Sequence, residues 1–196
     1  MAGVQKARRE ETRRQILAAA AVLMEEGGLR ALQIRAVAER AGYSVGSVYK
    51  HFADLDALVV AVNSGTLVRI RDAMTAATEG VSAPLERLKA LAATYLRFAR
   101  DNVNLWRGLF DHHLPGGKSI PEEHRQENVV LLSFIGREIH ALDPGLDENA
   151  LAARTRTCFA AVHGVVAISL EDRFVGLADD TLPAEMDFLV ERLAGH

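Results

Sequence analysis

The chain has 196 residues, 49% of them apolar and 25% charged. That length allows one or two domains with a substantial core, and the composition excludes the disordered, collagenous and disulfide-scaffold classes. The net charge of −3 hides an asymmetry: residues 1–52 hold nine Lys/Arg against five Asp/Glu, and the rest hold fourteen against twenty-one. A basic head therefore precedes an acidic body, and only the head suits a polyanion.

The single cysteine, Cys158, makes neither an internal disulfide nor a cysteine-based zinc site, which fits a reducing, cytoplasmic setting. No run of 18 apolar residues exists to span a membrane. The apolar run 16–24 behind a basic stretch imitates a signal peptide. Glu10 and Glu11 dilute the basic stretch, however, and Glu25, Glu26, Gly27 and Gly28 follow with no small-x-small cleavage pattern.

Helix formers dominate and alternating β-branched runs are absent, so the chain reads as all-α. A first helix over about 8–26 puts Ile16, Ala20 and Leu23 on one stripe and stops at Gly27-Gly28. A short second helix over 34–41 turns Ile34, Val37 and Ala38 inward and closes at Gly42. Ser44 caps a third, to about Lys50. Asp54 caps a fourth, to about Thr78, with Leu58, Val62, Leu67, Ile70 and Met74 on its apolar side. Pro84 opens a fifth, to about Arg100, and Asn102 starts a sixth. Leu114-Pro115-Gly116-Gly117 is the clearest break. Helices over 121–141, 147–171 and 183–194 complete the set.

The informative segment is 12–58. A supporting helix, a glycine turn, a short helix, a tight turn and another short helix form a helix-turn-helix. The last of these, Ser44-Val45-Gly46-Ser47-Val48-Tyr49-Lys50-His51, is too small and polar for a core element. Its short N-terminal side chains allow close approach to a major groove, and Tyr49, Lys50 and His51 can reach phosphates or base edges. Lys6, Arg8, Arg9, Arg13 and Arg14 could track the neighbouring DNA backbone.

The runs Thr12-Arg13-Arg14-Gln15-Ile16-Leu17-Ala18-Ala19-Ala20 and Ile34 through Phe52 carry a resemblance. The Tyr-x-His-Phe at 49–52, followed by Asp54 and Leu58, is its most specific piece. Here the chain resembles the tetracycline-repressor (TetR) family of bacterial transcription regulators. The resemblance implies a DNA-binding domain over 1–54 and a helical ligand-binding and dimerisation domain over 55–196. It further implies a homodimer on a palindromic operator in double-stranded DNA, with a C-terminal domain that senses a small molecule; a repressor is expected, and because the candidate walls offer few charges, a largely apolar effector with one polar group. By position, Ser44, Val45 and Ser47 would face the groove floor, Tyr49 and His51 would contact phosphate or support the helix, and Arg35 would hold backbone phosphate. Gln33 stands where many members carry a threonine cap and Leu55 where many carry a lysine, so two backbone contacts are expected to be missing. Residues 158–164 resemble the His-Gly-bearing helix of one subgroup's ligand-binding domain.

Tyr95, Phe98, Trp106, Phe110 and Phe134 are aromatics on helices five to seven, and with His163 they are the candidate effector walls; packing alone also accounts for such residues. A cavity bordered by helices four to eight is expected, with Leu114 to Gly117 as its rim. The surplus apolar surface of the last two helices points to a four-helix dimer interface. His112 and His113 are adjacent and poorly spaced for one metal ion, and no metal site, cofactor or catalytic residue is expected. Two other functions stay open: a helical-bundle carrier or enzyme without a DNA role, and a nucleoid-type DNA binder without a ligand. Against the enzyme stands the lack of paired Glu-x-x-His motifs, a nucleophile elbow or a phosphate loop.

Overall fold

The computed structural model describes residues 2–114, 116, 119–171 and 175–194, with only the backbone of Ala2. Pro115 and Gly117 of the predicted break lie outside the described residues. The described residues form helices and no strand: α1 Ala2–Ala31, α2 Ile34–Ala41, α3 Val45–Tyr49, α4 Leu55–Thr78, α5 Pro84–Asp101, α6 Val103–Asp111, α7 Glu122–Leu142, α8 Glu148–Leu170 and α9 Leu182–Leu193.

The ends follow local chemistry. Gly28 at φ 67° and ψ −164° interrupts α1, a conformation that an L side chain rarely adopts, and a last turn runs on to Ala31. Gly42, at φ 72° and ψ 28°, caps α2 in the left-handed region, and its N–H and that of Tyr43 donate to Glu39 and Ala38. The side chains of Ser44, Asp54 and Asp147 accept from backbone N–H groups three residues on, at 3.2, 2.8 and 2.9 Å. Gln33 makes no such cap for α2.

The contacts divide into two compact units. The first joins Met1–Leu67 to Asn102–Arg125, and the second joins Val68–Asp101 to Gln126–His196. In the first unit, Ile16, Ala20 and Met24 of α1 meet Val37 and Ala38 of α2, Val48 of α3, Phe52, Leu58, Val59 and Val62, and Leu105 of α6. Polar ties add to this core. Arg40 donates to Glu26 at 2.9 Å, the Tyr43 hydroxyl donates to Gln15, and Asn104 donates to the Glu25 carbonyl at 2.9 Å. Asn63 of α4 donates to the Gly108 carbonyl of α6 at 2.8 Å.

In the second unit, α5 buries Leu88, Leu91, Tyr95 and Leu96. Glu138 of α7 is buried and takes Nε of Arg87 at 2.7 Å and Nε of Arg137 at 2.8 Å. Arg87 also donates to the Thr78 and Val81 carbonyls. Cys158, Val162 and Val166 of α8 and Leu182, Met186 and Val190 of α9 are buried by the chain itself and belong to its core, so a dimer through these helices would have to use their other residues. Composition counts apolar surface without saying which neighbour covers it. Of the large apolar side chains on these helices, Ile168 and Phe188 stay exposed.

Candidate nucleic-acid interface

Val48 and Phe52 are buried in the first unit's core and anchor α3, which fixes what the rest of that helix can present. Ser44, Val45, Gly46, Tyr49 and Lys50 are exposed, and Ser47 and His51 are half-buried. Tyr49 and Val45 keep 52% and 40% of their surface open, so both are available to a partner laid along α3. Ser44 spends its hydroxyl on the helix cap, accepting from Ser47 N–H, and also donates to Ser47 Oγ at 3.2 Å. Arg35 is exposed on the first turn of α2 and makes no ion pair among the described residues. The structure thus collects all seven predicted DNA-facing residues around one small helix and the start of its neighbour.

The basic residues of α1 separate into two groups. Arg14 is held by Glu11 at 2.6 Å, and Lys6 lies 3.9 Å from Glu10. Arg13 instead lies over the Phe52 ring at 4.9 Å, and Arg9 sits one turn before it. Burial first, then the charges of Arg9, Arg13 and Lys50, hold His51 below the ordinary histidine value.

The effector candidates fall in two places. Trp106 and Phe110 belong to the first unit, their ring centroids 5.5 Å apart. Tyr95, Phe98, Phe134 and His163 belong to the second. There the Tyr95 hydroxyl lies 2.8 Å from Nδ1 of His163, and Phe159 stacks on the imidazole with centroids 5.7 Å apart. Burial pushes the pKa of His163 down, in the direction that favours the neutral ring. Phe98 lies beneath Arg69 and Phe134 beneath Arg137. An apolar cavity of about 30 Å³ is walled by Met74, Leu88, Leu91, Tyr95, Phe159 and Val162, among others. Phe159 was absent from the sequence candidates, although it lies four residues before His163 on the same helical stripe.

The chain is similar to known proteins over both parts. A model of the bacterial regulatory proteins of the tetR family matches residues 16–62, and one of the tetracyclin repressor-like C-terminal domain matches residues 88–193. The HTH-type transcriptional repressor KstR of Rhodococcus jostii is 29% identical over 143 residues, 73% of this chain and 66% of that repressor's length. The chain therefore spans just under two thirds of that relative. FadR of Bacillus subtilis, solved in complex with stearoyl-CoA, superposes with a TM-score of 0.70 at 16% identity, covering 92% of this chain and 96% of that one. BioQ, solved with its double-stranded DNA operator, superposes at 0.67 with 20% identity, covering 94% and 98%. At such identities these two likenesses speak for the fold. With over half of the chain inside the C-terminal model and the helix-turn-helix inside the N-terminal one, the chain belongs to the tetracycline-repressor (TetR) family.

Proposed function

We propose that this protein is a homodimeric DNA-binding repressor in the cytoplasm, and that an effector in its second unit releases it from a palindromic operator. The observation that carries the reading is α3: two buried anchors hold a short-chained, cationic-ended helix whose outer face the described residues leave open. Residues 1–54 serve as the DNA-binding region and 55–196 as the effector and dimerisation region. Ser44, Val45 and Ser47 face the groove floor, while Arg35, Tyr49, Lys50 and His51 take phosphate.

The dimer forms on the open side of α8 and α9, where Ile168 and Phe188 remain exposed. The effector is largely apolar with one polar group, directed to Tyr95 of α5 and His163 of α8; Phe98 of α5 and Phe134 of α7 are further candidate walls outside the 30 Å³ cavity. A cavity of about 30 Å³ holds no more than a water-sized group, so a larger effector enters by displacing its walls. It weakens DNA binding only to the extent that it prefers the non-binding conformation.

The test is selection of duplexes from a random 30-bp pool, followed by gel shift at stated salt. Enrichment of one palindrome bound by dimers supports the reading. Binding with no sequence preference leaves a nucleoid-type role, and no binding at low salt refutes a DNA function. A panel of acyl, aromatic and terpenoid ligands is then screened against the bound duplex, with Trp106 fluorescence as a reporter in the DNA-binding unit. If none releases DNA or shifts the melting temperature, effector control is wrong.

A further inference from the structure

The stripe of α1 that builds the core of the DNA-binding unit changes character at residue 13. Ile16, Ala20 and Met24 are buried on it. Continued toward the N-terminus at helical spacing, the same stripe reads Arg13 and Arg9. Arg13 spreads over Phe52, the residue after His51, so this end of α1 lies beside the C-terminal end of α3. Three cations, Arg9, Arg13 and Lys50, act on the His51 ring.

None of these cations is paired with a carboxylate among the described residues. Arg14, Lys6 and Arg40 each have a carboxylate at 2.6, 3.9 and 2.8 Å. Arg9, Arg13 and Lys50 have no ion pair among the described residues, and all three are exposed. Like charges gathered beside one another raise the folding free energy unless a counter-charge joins them. The carboxylates Glu10 and Glu11 sit next to Arg9 in sequence, yet they turn toward Lys6 and Arg14. Arg9, Arg13 and Lys50 therefore form one unpaired group around the Phe52 and His51 end of α3, and a polyanion is the partner that would neutralise it.

We propose that Arg9 and Arg13 of α1 join Lys50 and His51 of α3 in one phosphate-binding patch, which grips the DNA backbone beyond the bases that α3 reads. Arg13 is positioned by its stacking on Phe52, which fixes the guanidinium plane before DNA arrives. Arg9, one turn further out, reaches the next phosphate along the strand. The patch rests on the assignment of α3 as the reading helix, and it adds length to the footprint without adding base specificity.

The experiment uses the full-length protein, the duplex it selects from the random pool, and a scrambled duplex of the same composition. Affinities are measured from 50 to 200 mM salt for the wild type, Arg9→Gln/Arg13→Gln, Arg9→Lys/Arg13→Lys and Lys50→Ala. Each lost phosphate contact makes the logarithmic salt slope shallower by about 0.9 and shrinks the affinity loss over that range by roughly 3.5-fold. The Gln pair is expected to flatten the slope equally on both duplexes, and the Lys pair to retain it. Ethylation interference should lose signal at the outermost phosphates only. An unchanged slope in a Gln pair that melts like the wild type overturns the patch. If Lys50→Ala still weakens binding in that case, the reading helix stands; if it too is silent, that assignment fails as well.

Discussion

Gly46 isolates what DNA demands of this sequence from what the fold demands. It lies inside α3 at a negative φ, since the positive-φ glycines among the described residues are Gly28, Gly42 and Gly80. A Cβ built there meets nothing nearer than Ser44 Oγ at 3.9 Å, an ordinary van der Waals contact. The protein alone has no steric use for this glycine, and glycine in a helix costs about 0.8–1.0 kcal/mol relative to alanine. In so short a helix the gain from Gly46→Ala is about 0.5–1 kcal/mol, a rise in melting temperature of roughly 1–4 °C for a chain of this size. DNA binding should move the other way. A methyl group where backbone and groove floor meet is an overpacking defect of about 1–3 kcal/mol per head, or roughly 5- to 150-fold in affinity. Calorimetric melting and gel shift on the selected duplex measure both effects. A raised melting temperature with unchanged affinity would show that α3 does not approach DNA through Gly46. A lowered melting temperature would show that the glycine serves the fold, and the argument from open space would be wrong.

Operator affinity should rise as pH falls. His51 is held low, first by burial and then by Arg9, Arg13 and Lys50, and phosphates that offset those charges raise its pKa in the complex. The complex then binds more protons than the free protein, so the gain is complete below the free protein's lowered pKa and is lost as pH rises through the pKa in the complex. A difference between pH 8 and pH 6 that persists undiminished in His51→Gln would assign the effect elsewhere. Arg87→Met strands the buried Glu138 with Arg137 as its remaining cation, and a loss of about 3 kcal/mol is expected. Adding Glu138→Leu should restore most of it in urea melts, and a single variant as stable as the wild type would refute the account. Phe188→Asp with Ile168→Asp changes exposed positions, so the chain should fold but sediment as a monomer that binds a half-site weakly. Dimers persisting at micromolar concentration would move the interface off these helices.

Much of the architecture was legible in residue order because it is local. Gly28, Gly42, Ser44, Asp54 and Asp147 end or begin helices through backbone geometry and hydrogen bonds spanning a few residues, so neighbours in sequence suffice to read them. The helix-turn-helix was legible for the same reason: its turn glycine, its cap and its buried Val48 and Phe52 all fall within about a dozen residues. Assignments that depend on long-range packing were not legible. The apolar faces of α8 and α9 look alike whether a second copy or the chain's own α5 covers them, and only the fold showed that Met186, Val190 and Val166 are core. Likewise Arg9, Arg13 and Arg14 are equal in sequence, but Phe52 lies 39 residues beyond Arg13. The helical turn that gives Arg14 to Glu11 leaves Arg13 for the Phe52 ring. Local chemistry writes the helices, whereas the covering of each face is set by contacts whose partners are distant in the chain, and only tertiary structure decides those.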